Sequence, residues 1–333
     1  MKGCSLSGGG LSKILPSLSR NGGFAVLESG EWTGLSSLDS TCFWWQFGFV
    51  ASEKFNRLAE LLRGYGSCLV AYSGGVDSVF LARVAHDVLG AKSLAVIADS
   101  SSLPRAELAE ALDIAGRFGI PVRVVHTKEF ENADYLSNPV NRCYFCKHEL
   151  FTELEPVARA GGFAVIAYGE NASDAADFRP GAKAASEFQV RAPLKEAGLT
   201  KAEIRELSAE LGLPTADKPQ MACLSSRIPH GEAVSPEKLR MVEAAEAVLR
   251  GIGFHDVRVR HHELPARGSL ARIEVGPGEM GRFFEDGNAL RIAEALKKTG
   301  YAHVTLDLQG YRRPGDGGGV ARNLQTVPRE NGR

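Results

Sequence analysis

Cys68-Leu69-Val70-Ala71-Tyr72, followed at once by Ser73-Gly74-Gly75-Val76-Asp77-Ser78, decides the fold. The first five residues form an apolar run suited to a buried parallel strand. After the glycine turn, Val79, Phe80, Ala82, Val84, Ala85 and Leu89 cover one face of a helix. The two adjacent glycines let the backbone take positive φ and approach an anion without a Cβ in the way. A helix opening at Val76 offers that anion free N–H groups and the positive end of its dipole. Ser73 and Ser78 add hydroxyl donors. Asp77 would repel phosphate unless a cation stands between them, so Mg²⁺ is its expected partner. Ser73, Gly74, Gly75, Val76, Asp77 and Ser78 are therefore read as a phosphate site, with Asp77 and Ser78 also in catalytic roles. No lysine follows the glycines as a Walker loop requires, and Gly-x-Gly-x-x-Gly is absent as well.

Working outward, Phe55, Leu58, Leu61 and Leu62 predict a helix that stops at Gly64-Tyr65-Gly66. Leu94–Ala98 reads as a strand, Pro104–Phe118 as a helix and Val122–His126 as a strand. A helix over about 143–160 and a strand at Phe163–Ala167 follow. This alternation predicts an α/β fold over 52–213: a parallel Rossmann-like sheet with helices on both faces. Past Leu213 the texture changes. A helix over 236–250 leads to Val257–Arg260 and Leu270–Val275, which alternate apolar and polar residues as half-exposed antiparallel strands do. A helix near 285–298 and the strand Ala302–Asp307 complete a smaller α+β unit over 214–312. Residues 1–51, rich in Gly and Ser, are expected to be a disordered extension, and 313–333 a flexible tail.

The 333 residues are 44% hydrophobic and 24% charged, an ordinary globular mix. Thirty-nine basic and 40 acidic side chains give a net charge of -1, with no basic domain to grip nucleic acid. No signal-peptide h-region is evident, and the apolar run Cys42–Val50 is too short to span a bilayer. A cytoplasmic protein with no membrane partner is expected. In that compartment the six cysteines, at 4, 42, 68, 143, 146 and 223, are more often metal-binding or catalytic than disulfide-paired.

Cys143-Tyr144-Phe145-Cys146 begins a predicted helix, where thiols three apart face the same way and the helix N-terminus favours thiolate. Cys223 lies in Lys218–Gly231, a stretch dense in polar groups and turn formers that suits a site-lining loop. A lone CxxC reads equally as half a zinc site, a redox pair or packed thiols. No second CxxC completes a zinc site, and the motif is not at the first βα turn expected of a thioredoxin-like pair. Two thiols plus one fit a [4Fe–4S] cluster with one open iron able to accept an outside sulfide. Unrelated packed cysteines remain the alternative. Cys68, inside the first strand, reads as core.

Ser73–Ser78 resembles the PP-loop of the ATP-pyrophosphatase superfamily, which includes GMP and NAD synthetases and tRNA thiolases. Further strings resemble one branch, the LarE family of ATP-dependent sulfur-inserting enzymes that build the nickel-pincer cofactor of lactate racemase. They are Arg142-Cys143-Tyr144-Phe145-Cys146-Lys147, Asp177-Phe178-Arg179-Pro180-Gly181, Cys223-Leu224-Ser225-Ser226-Arg227-Ile228-Pro229, Val257–Arg260, Ala271–Glu274 and Val304–Tyr311. The similarity covers about 53–312.

The resemblance implies the adenine nucleotide alpha hydrolase-like fold, ATP and Mg²⁺ as cofactors, and a small-molecule substrate, pyridinium-3,5-biscarboxylic acid mononucleotide. Each carboxylate would be adenylated and then converted to a thiocarboxylate. Sulfur would come from a [4Fe–4S] cluster on Cys143, Cys146 and Cys223, or sacrificially from Cys223 alone. All three thiols are present, which favours the cluster. Arg179, Arg227, Arg258 and Arg260, with Ser226, would clasp phosphate or carboxylate. Arg258 and Arg260, two apart on a strand, should point to the same side. Glu246 and Glu274 could hold the metal or orient an arginine, although a surface carboxylate is the commoner fate. His261-His262 reads as a surface loop. A homo-oligomer, with a hexamer suggested, also follows from the resemblance. The alternative is a PP-loop tRNA thiolase with the same three-cysteine cluster, which should bring a basic RNA-binding module or zinc ribbons; neither is visible.

Overall fold

The structure, a computed structural model, describes residues 53–176 and 180–311. The first helix, α1 (Glu53–Tyr65), buries Phe55, Leu58, Ala59 and Leu62 along one stripe. It leads to β1 (Cys68–Ala71), α2 (Val76–Leu89), β2 (Ser93–Asp99), α3 (Arg105–Arg117) and β3 (Val122–His126). The short α4 (Ala133–Leu136) precedes α5 (Arg142–Gly161) and β4 (Val165–Tyr168). Next come α6 (Pro180–Glu187), α7 (Pro193–Glu196) and α8 (Lys201–Glu210).

These strands form one parallel sheet in the order β3-β2-β1-β4. All four residues of β1 are buried, including Cys68, so its unbroken apolar run reflects cover on both faces. The chain order reverses beside β1, with β2 on one side and β4 on the other. In open α/β sheets the crevice at the strands' carboxyl ends, at such a switch point, is where ligands bind. The glycine turn after β1 opens there.

The second sheet is built from β5 (Val257–Leu264), β6 (Gly268–Val275) and β7 (His303–Leu306), with α9 (Pro236–Gly251) before it and α10 (Asn288–Lys298) before β7. β5 and β6 make an antiparallel hairpin, whereas β7 runs parallel to β6. The parallel pairing follows from α10, which carries the chain back to the start of the sheet. Leu249, Phe254, Val259, Ile273, Leu296 and Tyr301 lie in one buried cluster against this sheet.

His261 and His262 correct the surface-loop reading. The ladder continues past Arg260 to a Leu264–Gly268 pairing, so both histidines lie inside β5, opposite Ala271 and Leu270. His261 is buried, with Nδ1 3.4 Å from the Tyr301 hydroxyl. Among the described residues no helix is long and apolar enough to cross a membrane.

Candidate active site

The phosphate loop is closed by its own hydroxyls. Ser78 Oγ donates to Gly75 O at 3.0 Å, accepts from Ser73 N at 3.1 Å, and lies 3.0 Å from Ser73 Oγ. Two glycines fix its place. Gly74 has φ +72°, and a Cβ there would sit 2.7 Å from Ala111 Cβ on α3. Gly169, just past β4, approaches the loop so closely that a Cβ would lie 3.0 Å from Ser78 N and 3.1 Å from the Asp77 carbonyl carbon. Sequence reading missed Gly169; a glycine directly after a strand at the switch point was the available signal.

Asp77 is held from two sides. Lys201 Nζ lies 2.6 Å from Oδ2, and Asn171 Nδ2 donates to Oδ1 at 3.4 Å. Lys201 is placed by a capping box: Thr200 and Glu203 satisfy each other's backbone N–H groups and start α8 at that residue. From the next loop, Lys218 reaches back to Glu107 at 2.7 Å and Glu110 at 2.8 Å, with Gly74 O at 3.4 Å.

Two cavities share this loop. One, of about 340 Å³, joins Ser73, Gly75 and Asp77 to Cys143, Lys147 and Tyr168. The other, of about 490 Å³, joins the same three residues to Lys201, Lys218 and Cys223. The loop thus stands between the CxxC helix and the Cys223 stretch, which are far apart in sequence.

The CxxC motif opens α5 as expected. At the helix N-terminus, which favours thiolate, burial acts in the opposite direction. Burial raises the Cys143 thiol first, and the charge of Cys223 raises it further. Burial and then Cys223 push Cys146 up to about 12. Desolvation and like charge therefore outweigh the helix dipole. Among the described residues no group of three or more His, Cys, Asp or Glu side chains is arranged to hold a metal ion.

Arg142, the residue before Cys143, is buried and ties the two cysteine segments together. It donates to Ser225 O at 2.9 Å and to Asn138 Oδ1, and its Nη2 is 4.0 Å from Cys223 Sγ. Asn138 donates in turn to Ile228 O, Pro229 O and Glu232 O. Behind them Ser102, Tyr135 and Ser225 join hydroxyls, with Tyr135 Oη 2.8 Å from Ser225 Oγ.

The predicted arginines divide into different jobs. Arg227 is 1% exposed and paired with Glu246 at 2.9 Å, while its Nη1 donates to Ala222 O and Cys223 O. It holds the Cys223 turn. Arg258 is buried with its guanidinium 4.5 Å from the Tyr311 ring centroid, an arrangement that favours a cation over a π face. Arg260 pairs with Glu274 at 3.0 Å and donates to Ser226 O at 2.8 Å. It lines a third cavity, of about 330 Å³, with Arg142, Ser226, Arg227, His262 and Arg272. Arg258 is not in that wall, but burial and then the nearby Arg227 and Arg260 charges hold its pKa below the usual arginine value. Glu246 and Glu274 are buried rather than surface carboxylates, and both orient arginines. Arg179 lies outside the described residues, as do Cys4, Cys42 and the terminal segments.

No protein-family profile matches the chain. An uncharacterized protein of Synechocystis is 43% identical over 263 residues, 79% of this chain and 96% of that one. Pyridinium-3,5-bisthiocarboxylic acid mononucleotide synthase of Lactiplantibacillus plantarum is 35% identical over 267 residues, 79% of this chain and 93% of the synthase. The chain belongs to the LarE family. As a LarE-family enzyme it is an ATP-dependent sulfurtransferase of the PP-loop superfamily. The wider superfamily is visible in tRNA-specific 2-thiouridylase MnmA of Azorhizobium caulinodans, 30% identical over 220 residues, 54% of this chain and 55% of that protein.

Proposed function

We propose that this LarE-family enzyme adenylates the carboxylates of pyridinium-3,5-biscarboxylic acid mononucleotide and converts them to thiocarboxylates, with sulfur delivered at Cys143, Cys146 and Cys223. One observation carries the reading: Ser73, Gly75 and Asp77 line both the cavity that reaches Cys143 and the cavity that reaches Cys223. An acyl-adenylate formed at the loop would therefore lie between thiols from two segments.

A substrate carboxylate oxygen attacks the α-phosphorus of ATP, and pyrophosphate leaves toward the loop's N–H groups. Sulfide then attacks the acyl carbon, and AMP departs with the former carboxylate oxygen. Each carboxylate uses one ATP and one sulfide. Asp77 and Asp174 line the cavity beside the loop and suit Mg²⁺, which usually takes one or two carboxylates plus phosphate oxygens. Arg260, Ser226 and Arg227 line a cationic cavity whose chemistry suits the substrate's phosphate. Arg179 is also proposed to bind a phosphate or carboxylate of the substrate.

The three thiols suit a cluster better than one ion. Every donor is sulfur, which suits iron–sulfur ligation. Cys143, Cys146 and Cys223 would hold a [4Fe–4S] cluster, which would supply sulfide for the acyl-transfer step. Arg142, at the start of α5, reaches Ser225 O and Cys223 Sγ, and Arg227 braces the Cys223 turn from within, which supports Cys223 as the third donor.

The test is pyrophosphate release measured with candidate acceptors. Release and thiocarboxylate formation with the pyridinium mononucleotide are expected. Thiolation of bulk tRNA without turnover of the mononucleotide would establish the tRNA thiolase alternative instead.

A further inference from the structure

The loop contains no Walker lysine, yet two lysines reach it from elsewhere in the chain. Lys201 is occupied by Asp77. Lys218 is the other cation in the wall of the Cys223 cavity, and its surroundings are unusual. Its side chain is 11% exposed, and Glu107 and Glu110, one turn apart on α3, both pair with it. Its ammonium is 3.4 Å from Gly74 O, on the rim of the phosphate turn. The backbone beneath it is pinned, because Arg205 donates to Ala216 O and, at 2.7 Å, to Lys218 O.

The charges around the turn make the arrangement informative. The cavity wall carries Asp77, Glu107 and Asp174 against Lys201 and Lys218. A triphosphate entering that wall meets carboxylates it must be shielded from, and Lys218 is the cation within reach that Asp77 does not hold. Compact and flexible at its tip, a lysine ammonium can exchange one anion for another without moving its backbone.

We infer that Lys218 is a ligand of ATP's β- and γ-phosphates, held in readiness by Glu107 and Glu110 and passed to the leaving pyrophosphate when nucleotide binds. It takes the place that the following lysine fills in a Walker loop. The inference rests on Ser73–Ser78 being the phosphate site, and it adds a residue from a different segment to that site. Lys218 also opens the stretch that ends at Cys223, so the cation on the leaving group and the sulfur share one short loop.

The experiment is calorimetric titration of AMP and of the α,β-methylene analogue of ATP with Mg²⁺, without substrate or sulfide. Lys218→Met should weaken the analogue about tenfold or more, as loss of a charge-assisted hydrogen bond does, and leave AMP within about twofold. Equal loss of both ligands, or no loss of either, overturns the inference. Glu110→Gln gives an independent test at a more exposed position, where folding is not at stake. Removing one competing carboxylate should tighten the analogue about two- to fivefold. Unchanged or weaker binding overturns the exchange. If the wild-type protein binds neither ligand, the phosphate-loop assignment itself fails, which is a different outcome.

Discussion

Replacing Glu246 with Gln is expected to destabilise the protein strongly while leaving the shape of the site almost unchanged. Glu246 and Arg227 are each 1% exposed, and the carboxylate also receives Val259 N at 3.2 Å and Arg250 Nη2 at 2.8 Å. Glutamine keeps the volume but leaves the Arg227 charge buried without a counter-ion. Removing one partner of such a pair costs about 3–5 kcal/mol. At about 2–4 °C per kcal/mol for a chain of this size, the midpoint of thermal unfolding should fall by about 6–20 °C. Arg250 adds little, because it is 40% exposed and water screens it. The double variant Arg227→Met, Glu246→Leu should recover most of the loss, since an apolar pair of similar volume tolerates burial. It should not recover activity, because the Cys223 turn still lacks the donors to Ala222 O and Cys223 O. Circular dichroism melts measure all three proteins. A fall below about 2 °C for the single variant, or a double variant no more stable than the single, would show that Arg227 does not depend on Glu246 as a buried counter-ion.

Gly169→Ala forces a Cβ to within 3.0–3.1 Å of the phosphate loop, so the loop must shift. Overpacking of about 1–3 kcal/mol should weaken ATP-analogue binding about 5- to 150-fold; unaltered binding would show that β4 does not set the loop. His261 gives a pH dependence whose sign is fixed by burial, which lowers it from 6.5 to about 4. The unfolded chain therefore takes up the proton first as pH falls. Its contribution is complete above about pH 6.5 and is lost progressively toward pH 4. At about 1.4 kcal/mol per pH unit, the loss between about pH 7 and pH 5 is at most about 2 kcal/mol. Urea unfolding of His261→Gln should show less than half the wild-type change over that range.

The first sheet was legible because its strands are apolar runs separated by helical periodicity, and β1 needs no partner information to be recognised. The glycine turn and the CxxC helix were legible for the same reason: each is a local pattern with a local cause. The charged pairs were not. Arg227 meets Glu246 nineteen residues away, and Lys201 meets Asp77 across 124, so an apparently solvated charge becomes a buried one only when the chain folds. Lys218 and Arg142 both stood inside quoted motifs, yet their roles depend on α3 and on Ser225, which sequence spacing does not bring near. The two histidines misled because their polarity mimics a loop, while the strand's pairing runs straight through them. The thiols were misjudged by weighing the helix dipole without the desolvation that α5 and the Cys223 turn impose.

Sulfur delivery at Cys143, Cys146 and Cys223 can be followed by mass spectrometry of Cys223 after turnover. The anaerobic protein is reconstituted with iron and isotopically labelled sulfide, then given ATP, Mg²⁺ and the pyridinium mononucleotide. An iron chromophore before turnover, labelled sulfur in more than one product per chain, and Cys223 recovered intact are expected. Absence of the chromophore, with unlabelled sulfur in the product and dehydroalanine at Cys223, would contradict delivery from a cluster.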